Sequence, residues 1–244
     1  MRHTGQSYAP VISVRDLHYQ YEDGTVALAG VDFELHPGET VALFGANGSG
    51  KTTFVLHLNG LLEGSGSVEV CGLPVKKENL KRVRQKIGMV FQDPDDQLFM
   101  PSILEDVAFG ALNLGLSAEE ASERARIALE KVGMLESHDK APYHLSAGQK
   151  KRVAIAGVLV MAPEILVLDE PTTFLDPPGQ RALTTLLREL PQSKLIVTHD
   201  VEFARSLATR AVFFQKGRIA GEGAADRIIE QFQWDQKLCK GQYL

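Results

Sequence analysis

The feature that most constrains this chain is an eight-residue loop, GANGSGKT (45–52), set between two different patterns. Ahead of it stands TVALF (40–44), an apolar run too short for a helix; behind it, KTTFVLHLNGLL places Phe54, Val55, Leu58 and Leu62 at helical spacing. The loop fits G-x-x-x-x-G-K-[ST], and strand, glycine-rich turn and helix together supply the phosphate-binding context that gives that pattern its meaning. Gly48 and Gly50 let backbone N–H groups close on phosphate oxygens, Lys51 reaches the β- and γ-phosphates, and Thr52 offers a hydroxyl to Mg²⁺. Gly45, Asn47, Ser49 and Thr53 complete the expected nucleotide-binding stretch.

Around the loop the pattern alternates. VISVRDLHYQY and VDFELHPGE switch between apolar and polar at every step and predict β structure over the first forty residues; EGSGSVEVCGLPV reads as a hairpin and KIGMVFQ as a further buried strand. From Ser102 to about Val160 the pattern is helical almost throughout. Within it, SAEEASERARIALEKVG puts Ala121, Ala125, Leu129 and Val132 on one face, with acidic residues in the first turn where the helix dipole favours them. EILVLD, PPGQRALTTLLREL, KLIVTH, VEFARSLA, AVFFQ and GRIAGEG then alternate strand and helix, and AADRIIEQFQWDQKL in the tail (224–244) reads as one more amphipathic helix. The prediction is an α/β fold: a mainly parallel sheet covered on both faces, an N-terminal antiparallel β region, and a helical subdomain inserted over about 102–161.

Composition removes several function classes. Lys+Arg 26 against Asp+Glu 31 gives a net charge of −5, without the basic excess of a nucleic-acid-wrapping protein, so no nucleic-acid partner is expected. The longest uncharged apolar stretch, 153–163, is too short to cross a bilayer, and MRHTGQSYAP has no apolar signal core, which favours the cytoplasm. Cys71 and Cys239 stand far apart with no Cys/His cluster, so neither a disulfide framework nor a zinc site is expected and both read as inert thiols.

A second anion-binding feature then raises a question. LSAGQKKR sets Ser146, Ala147 and Gly148 at the start of a helix, leaving backbone N–H groups unpaired, although one nucleotide has one triphosphate and a cradle already exists. Downstream, ILVLDE (165–170) ends a buried strand with two carboxylates. Asp169 suits Mg²⁺, and Glu170 suits a base that polarises the water attacking a γ-phosphate.

GANGSGKT, the pair Phe91-Gln92, LSAGQ, ILVLDEP, Leu175-Asp176 and VTHD (197–200) follow one another in an order and spacing that resembles the ATP-binding-cassette (ABC) ATPases, from about residue 11 to 223. The resemblance implies a single cassette over 1–244, its nucleotide-binding core at about 11–101 and 162–223, with ATP and Mg²⁺ as ligands. It also implies two cassettes facing head to tail with two ATP molecules between them, so that Ser146, Ala147, Gly148 and Gln149 serve the ATP of the partner chain. By the same resemblance Tyr21 falls where an aromatic residue stacks on adenine, with Tyr19 the competing candidate. Gln92 would touch both Mg²⁺ and a transporter partner, His199 would contact the γ-phosphate and align the catalytic water, and Asp176 would lie at the dimer seam. Two positions depart from the family pattern: Ala147 replaces the usual glycine and Phe174 replaces a small residue. Since every motif is present in one chain, a homodimer suffices, and pairing with a related chain stays open.

Within that family, FQDPDDQLFMPSILEDVAFGALNLGL resembles the ATPases of energy-coupling-factor importers, especially cobalt and nickel uptake systems. This implies a membrane coupling subunit, a substrate-binding membrane subunit, a metal ion or vitamin as cargo, and a place at the cytoplasmic face of the cell membrane. Asp93, Asp95 and Asp96, with Leu98 and Phe99, would form a groove for basic coupling helices. An ATPase of another transporter type and a membrane-free scaffold ATPase remain the alternatives.

Overall fold

The computed structural model describes residues 9–235; Cys239 and the last residues of the expected tail helix lie outside them. Two antiparallel strands, β1 (Ile12–Gln20) and β2 (Val26–Leu35), open the chain, and β1 also pairs with β4 (Ser65–Val70), which folds back on the short β5 (Leu73–Pro74). They form a four-stranded sheet in the order β2-β1-β4-β5. The larger sheet contains β3 (Thr40–Gly45), β6 (Ile87–Val90), β7 (Ile165–Asp169), β8 (Ser193–Val197), β9 (Arg210–Gln215) and β10 (Arg218–Ala224), ordered β10-β9-β3-β8-β7-β6. All its neighbours are parallel except β9 and β10.

Period-two alternation assigns the two faces of this sheet to different cores. Val41, Leu43, Ile165 and Val167 face the antiparallel sheet and helix α1 (Lys51–Leu58), whose Phe54, Val55 and Leu58 are fully buried there. Leu166 and Leu168 face the other way, into a core shared with α3 (Ile103–Asn113), α4 (Ala118–Lys131), α5 (Ala147–Leu159) and α6 (Pro177–Glu189). Ala42 and Phe44 pack on α7 (Val201–Leu207) and α8 (Ala225–Gln231). A strand apolar on both faces is what a sheet covered on both sides requires, and the runs VALF and ILVL supply it.

The structure departs from the sequence expectations in four places. The helical stretch from Ser102 onward is three helices, with a turn at 114–117 and a loop over 132–146 that holds two short 3₁₀ turns. Leu62 lies beyond the end of α1, because Asn59 caps that helix and the chain turns at Gly60. Helix α2 (Leu80–Lys86) had no apolar period to announce it, since Val83 is its one buried residue. The tail helix stops at Gln231, and Gln233 adopts a left-handed φ of 48°.

Candidate nucleotide site

The sheet order explains where the chemistry gathers. β3, β8, β7 and β6 are consecutive in space and parallel, so the residues that follow their C-terminal ends stand along one edge: the loop at Gly45, His199, the pair Asp169-Glu170, and Gln92. This is the edge at which open parallel sheets hold ligands.

Backbone sterics build the loop first. Gly45 (φ 146°) and Gly50 (φ 107°) sit against the carbonyl oxygens of Phe214 and Ala27, where a Cβ would collide. Gly50 is also the N-cap of α1 and gives it no side-chain cap, which leaves the first N–H groups of the helix free to meet an anion. The Lys51 ammonium donates to the carbonyl oxygens of Gly45 at 2.6 Å and Ala46 at 3.0 Å. Burial lowers its pKa, opposed by the charges of Glu170 and Asp169. Ser49 Oγ is buried with no hydrogen-bond partner.

A cleft of about 490 Å³ opens over this loop, lined by Tyr21, Val26, Ala27, the stretch 47–53 and Gln92. Tyr21 is 40% exposed, and its hydroxyl lies 2.9 Å from Thr53 Oγ1. Tyr19 instead packs edge-on against His57, with a centroid separation of 4.9 Å, and is not part of the cleft wall. Tyr21, the residue the sequence favours, thus lines the cleft, and its competitor Tyr19 does not. Val26 is a cleft residue the sequence did not single out, since as the first residue of β2 it looks like any strand position.

Across the loop, Asp169 ends β7 and Glu170 turns the chain with a left-handed φ of 43°, its N–H donating to Val197 O at 2.8 Å. Glu170 Oε2 lies 2.8 Å from His199 Nδ1 and accepts the His199 backbone N–H at 3.3 Å. That hydrogen bond raises the His199 pKa above its ordinary 6.5, against an opposing contribution from burial. The Asp169 carboxyl is pushed up by burial first and by the neighbouring Glu170 charge second. A dication fits there, since it would offset the cost that burial and Glu170 impose on Asp169.

Ser146 to Gln149 lie elsewhere. They line a separate hollow of about 230 Å³ together with Phe174, Leu175 and Asp176. Ser146 caps α5 through a reciprocal box: its Oγ accepts the Gln149 N–H at 3.3 Å, while Gln149 Oε1 accepts the Ser146 N–H at 2.9 Å. Asp176 caps α6, accepting the Gly179 N–H at 2.9 Å. Phe174 is 70% exposed at a left-handed φ of 67°.

The loop after Gln92 is partly self-satisfied. Asp93 caps the turn that follows, and Asp95 is bound by Lys150 at 2.6 and 2.9 Å, so it is not the free acid that the sequence suggested. Leu98 is buried rather than outward-facing, and Phe99, 64% exposed, stands edge-on to Phe109 at 5.4 Å. Both line a groove with Met89, Asp106, Gly157 and Met161.

Comparison with known proteins places these features. The family model described as ABC transporter matches residues 28–173. A Geobacter sulfurreducens protein with a general, provisional name, ABC transporter ATP-binding protein, is 52% identical over 220 residues, covering 90% of this chain and 88% of its own. The energy-coupling factor transporter ATP-binding protein EcfA of Methanosphaera stadtmanae is 49% identical over 225 residues, covering 90% of this chain and 81% of its own. CbiO1 of Clostridium perfringens, part of the ABC transporter complex CbiONQ, superposes with a TM-score of 0.83 at 38% identity over 95% of each chain. With its phosphate loop, paired carboxylates and LSAGQ helix at the described positions, the chain belongs to the ABC transporter family, as an ABC ATPase.

Proposed function

We propose that this chain is the ATP-hydrolysing subunit of a membrane importer of the energy-coupling-factor type, working as two head-to-tail copies with two ATP molecules between them. One observation carries the reading: Lys51, Asp169, Glu170, His199 and Gln92 share one sheet edge, while Ser146 to Gln149 line a different hollow of the same molecule. One chain thus holds two halves of a site that do not meet within it.

In this reading the stretch 45–53 and Lys51 bind the triphosphate, and the Tyr21 ring stacks on adenine. Thr52, Asp169 and Gln92 would hold Mg²⁺, which would supply charge neutralisation to the bound triphosphate. Glu170 takes the proton of the attacking water, and His199 fixes the Glu170 carboxylate through its Nδ1. Ser146 and the free N–H groups of Ala147 and Gly148 would complete the γ-phosphate shell of the second copy, next to Asp176 at the seam. Residues 102–161 act as the helical unit that carries this second half.

The groove beside Phe99 and Phe109 supports a membrane partner. Asp106 Oδ1 accepts the N–H groups of Phe99 and Met100, both at 3.0 Å, while its buried Oδ2 has no partner. An apolar helix bearing an arginine or lysine satisfies both features, the aromatic rim by contact and the carboxylate by charge. No helix among the described residues is long and apolar enough to cross a membrane, so attachment at the cytoplasmic face would run through this groove. The likeness to EcfA and CbiO1 supports the energy-coupling-factor type, and the cargo in this reading is a cobalt or nickel ion, or a vitamin. Copurification with a coexpressed membrane partner tests the assignment: Phe99→Ala with Phe109→Ala should abolish assembly while ATP binding by the isolated chain is unchanged. Assembly that survives both changes refutes the groove, and a chain that recovers no membrane protein refutes the importer reading.

A further inference from the structure

Helix α5 carries a cation that none of these roles uses. Lys151 is 1% exposed, less than two turns beyond the Ser146 cap, and its ammonium donates to the carbonyl oxygens of Phe91 at 3.2 Å and Gln92 at 2.5 Å. It makes no ion pair among the described residues; Asp93 and Asp169 act on it through space. Burial brings its pKa down to about 8, the expected cost of keeping an ammonium away from water.

We propose that Lys151 is a positioning residue that ties the backbone of Gln92 to the signature helix, so that the state of one nucleotide site is passed to the half-site this chain offers its partner. The inference rests on the head-to-tail reading above. Three observations support it. Gln97 ties part of the loop back on itself, its Oε1 accepting the Phe91 N–H at 2.9 Å and its Nε2 donating to Met89 O at 3.0 Å, while the carbonyls of Phe91 and Gln92 go to Lys151. Next to it, Lys150 holds Asp95, so two consecutive lysines grip one five-residue segment, the first by an exposed ion pair and the second by buried backbone contacts. Finally, α5 is continuous from its cap to Leu159, so a pull on Lys151 moves Ser146 with it. A buried ammonium held by carbonyls alone is poor stabilisation for its desolvation cost, whereas it transmits displacement well because its two bonds fix the loop in direction as well as distance.

Hydrogen–deuterium exchange on the full chain in a Glu170→Gln background, with and without Mg²⁺ and ATP, tests this. Peptides over 45–53, 89–97 and 145–152 report the cradle, the Gln92 loop and the signature helix. The parent should gain protection in all three. Lys151→Met should keep the ATP-induced protection at 45–53 and lose it at 145–152. In the wild-type background the same change should lower kcat about tenfold or more with KM altered less than about threefold, and Lys151→Arg should restore most of the loss. If Lys151→Met is insoluble, Lys151→Gln, read the same way, replaces it. Full protection at 145–152 in the Met or Gln variant, with kcat within about twofold of the parent, overturns the inference and leaves the head-to-tail reading standing. A parent that shows no ATP-induced protection at 145–152 overturns both.

Discussion

At the scale of single residues, the contact between Glu170 and His199 makes the sharpest prediction. Because the hydrogen bond to Glu170 raises the folded-state pKa of His199, the stability it contributes is fully present below the ordinary 6.5 and is lost as pH rises through the raised value. The His199 imidazole should titrate above 6.5 by NMR in the wild type and return toward it in Glu170→Gln. The same variant should lose about 10²- to 10⁴-fold in single-turnover hydrolysis while keeping ATP affinity, and near-normal turnover would remove Glu170 from the role of base. Lys51→Ala should instead weaken ATP binding, measured by nucleotide titration. Most of these residues were legible because each follows a short apolar strand with a motif attached. Tyr21 over Tyr19 rested on the family resemblance alone, for a physical reason: β1 contains register shifts between Val14 and Leu17, Leu17 and His18, and Tyr19 and Gln20, so alternation no longer tells which tyrosine faces which side. Lys151 was illegible for another reason, since its partners lie 59 and 60 residues away with no local signature.

Among the elements, β3, the phosphate loop and α1 could be read from sequence because the apolar period changes from strand to helix across a glycine-rich turn. The antiparallel region and α4 could be read as well, the latter because Ala121, Ala125 and Leu129 recur on one face behind an acidic first turn; the structure adds a Ser117–Glu120 capping box. Helix α2 could not, because a helix that buries one side chain leaves no stripe. Helix α5 gives the element-scale prediction. Ser146→Ala removes the cap and should cost about 1 kcal/mol in chemical denaturation. Its ATPase activity should fall by far more than that loss of stability explains, whereas Ser117→Ala, which removes the matching cap of α4, should show mainly the stability effect. Equal effects of the two changes on activity would mean that the cap acts only through folding.

For the whole molecule, the proposed head-to-tail arrangement predicts that function appears only in pairs. A chain carrying Lys51→Ala mixed with one carrying Ser146→Arg should recover part of the ATPase activity that each lacks alone, because one intact composite site forms in the mixed dimer. Confirmed mixed dimers without activity would show that the sites are not shared. Phe174 lines the same hollow as Ser146 and Asp176 and is exposed at a left-handed φ; in the head-to-tail reading its replacement by alanine should weaken ATP-induced dimerisation in sedimentation while leaving the monomer's melting temperature nearly unchanged. The capping box at Ser146 adds a consequence for timing. Its hydroxyl oxygen accepts the Gln149 N–H, which leaves the hydroxyl hydrogen and the N–H groups of Ala147 and Gly148 to meet a phosphate from the other copy without breaking the box. In the head-to-tail reading closure then breaks no hydrogen bond of the helix end, and each new one adds on the order of 1 kcal/mol. A clamp built this way is set before its target arrives: the box that fixes the helix end stays closed while the donors beside it engage and let go.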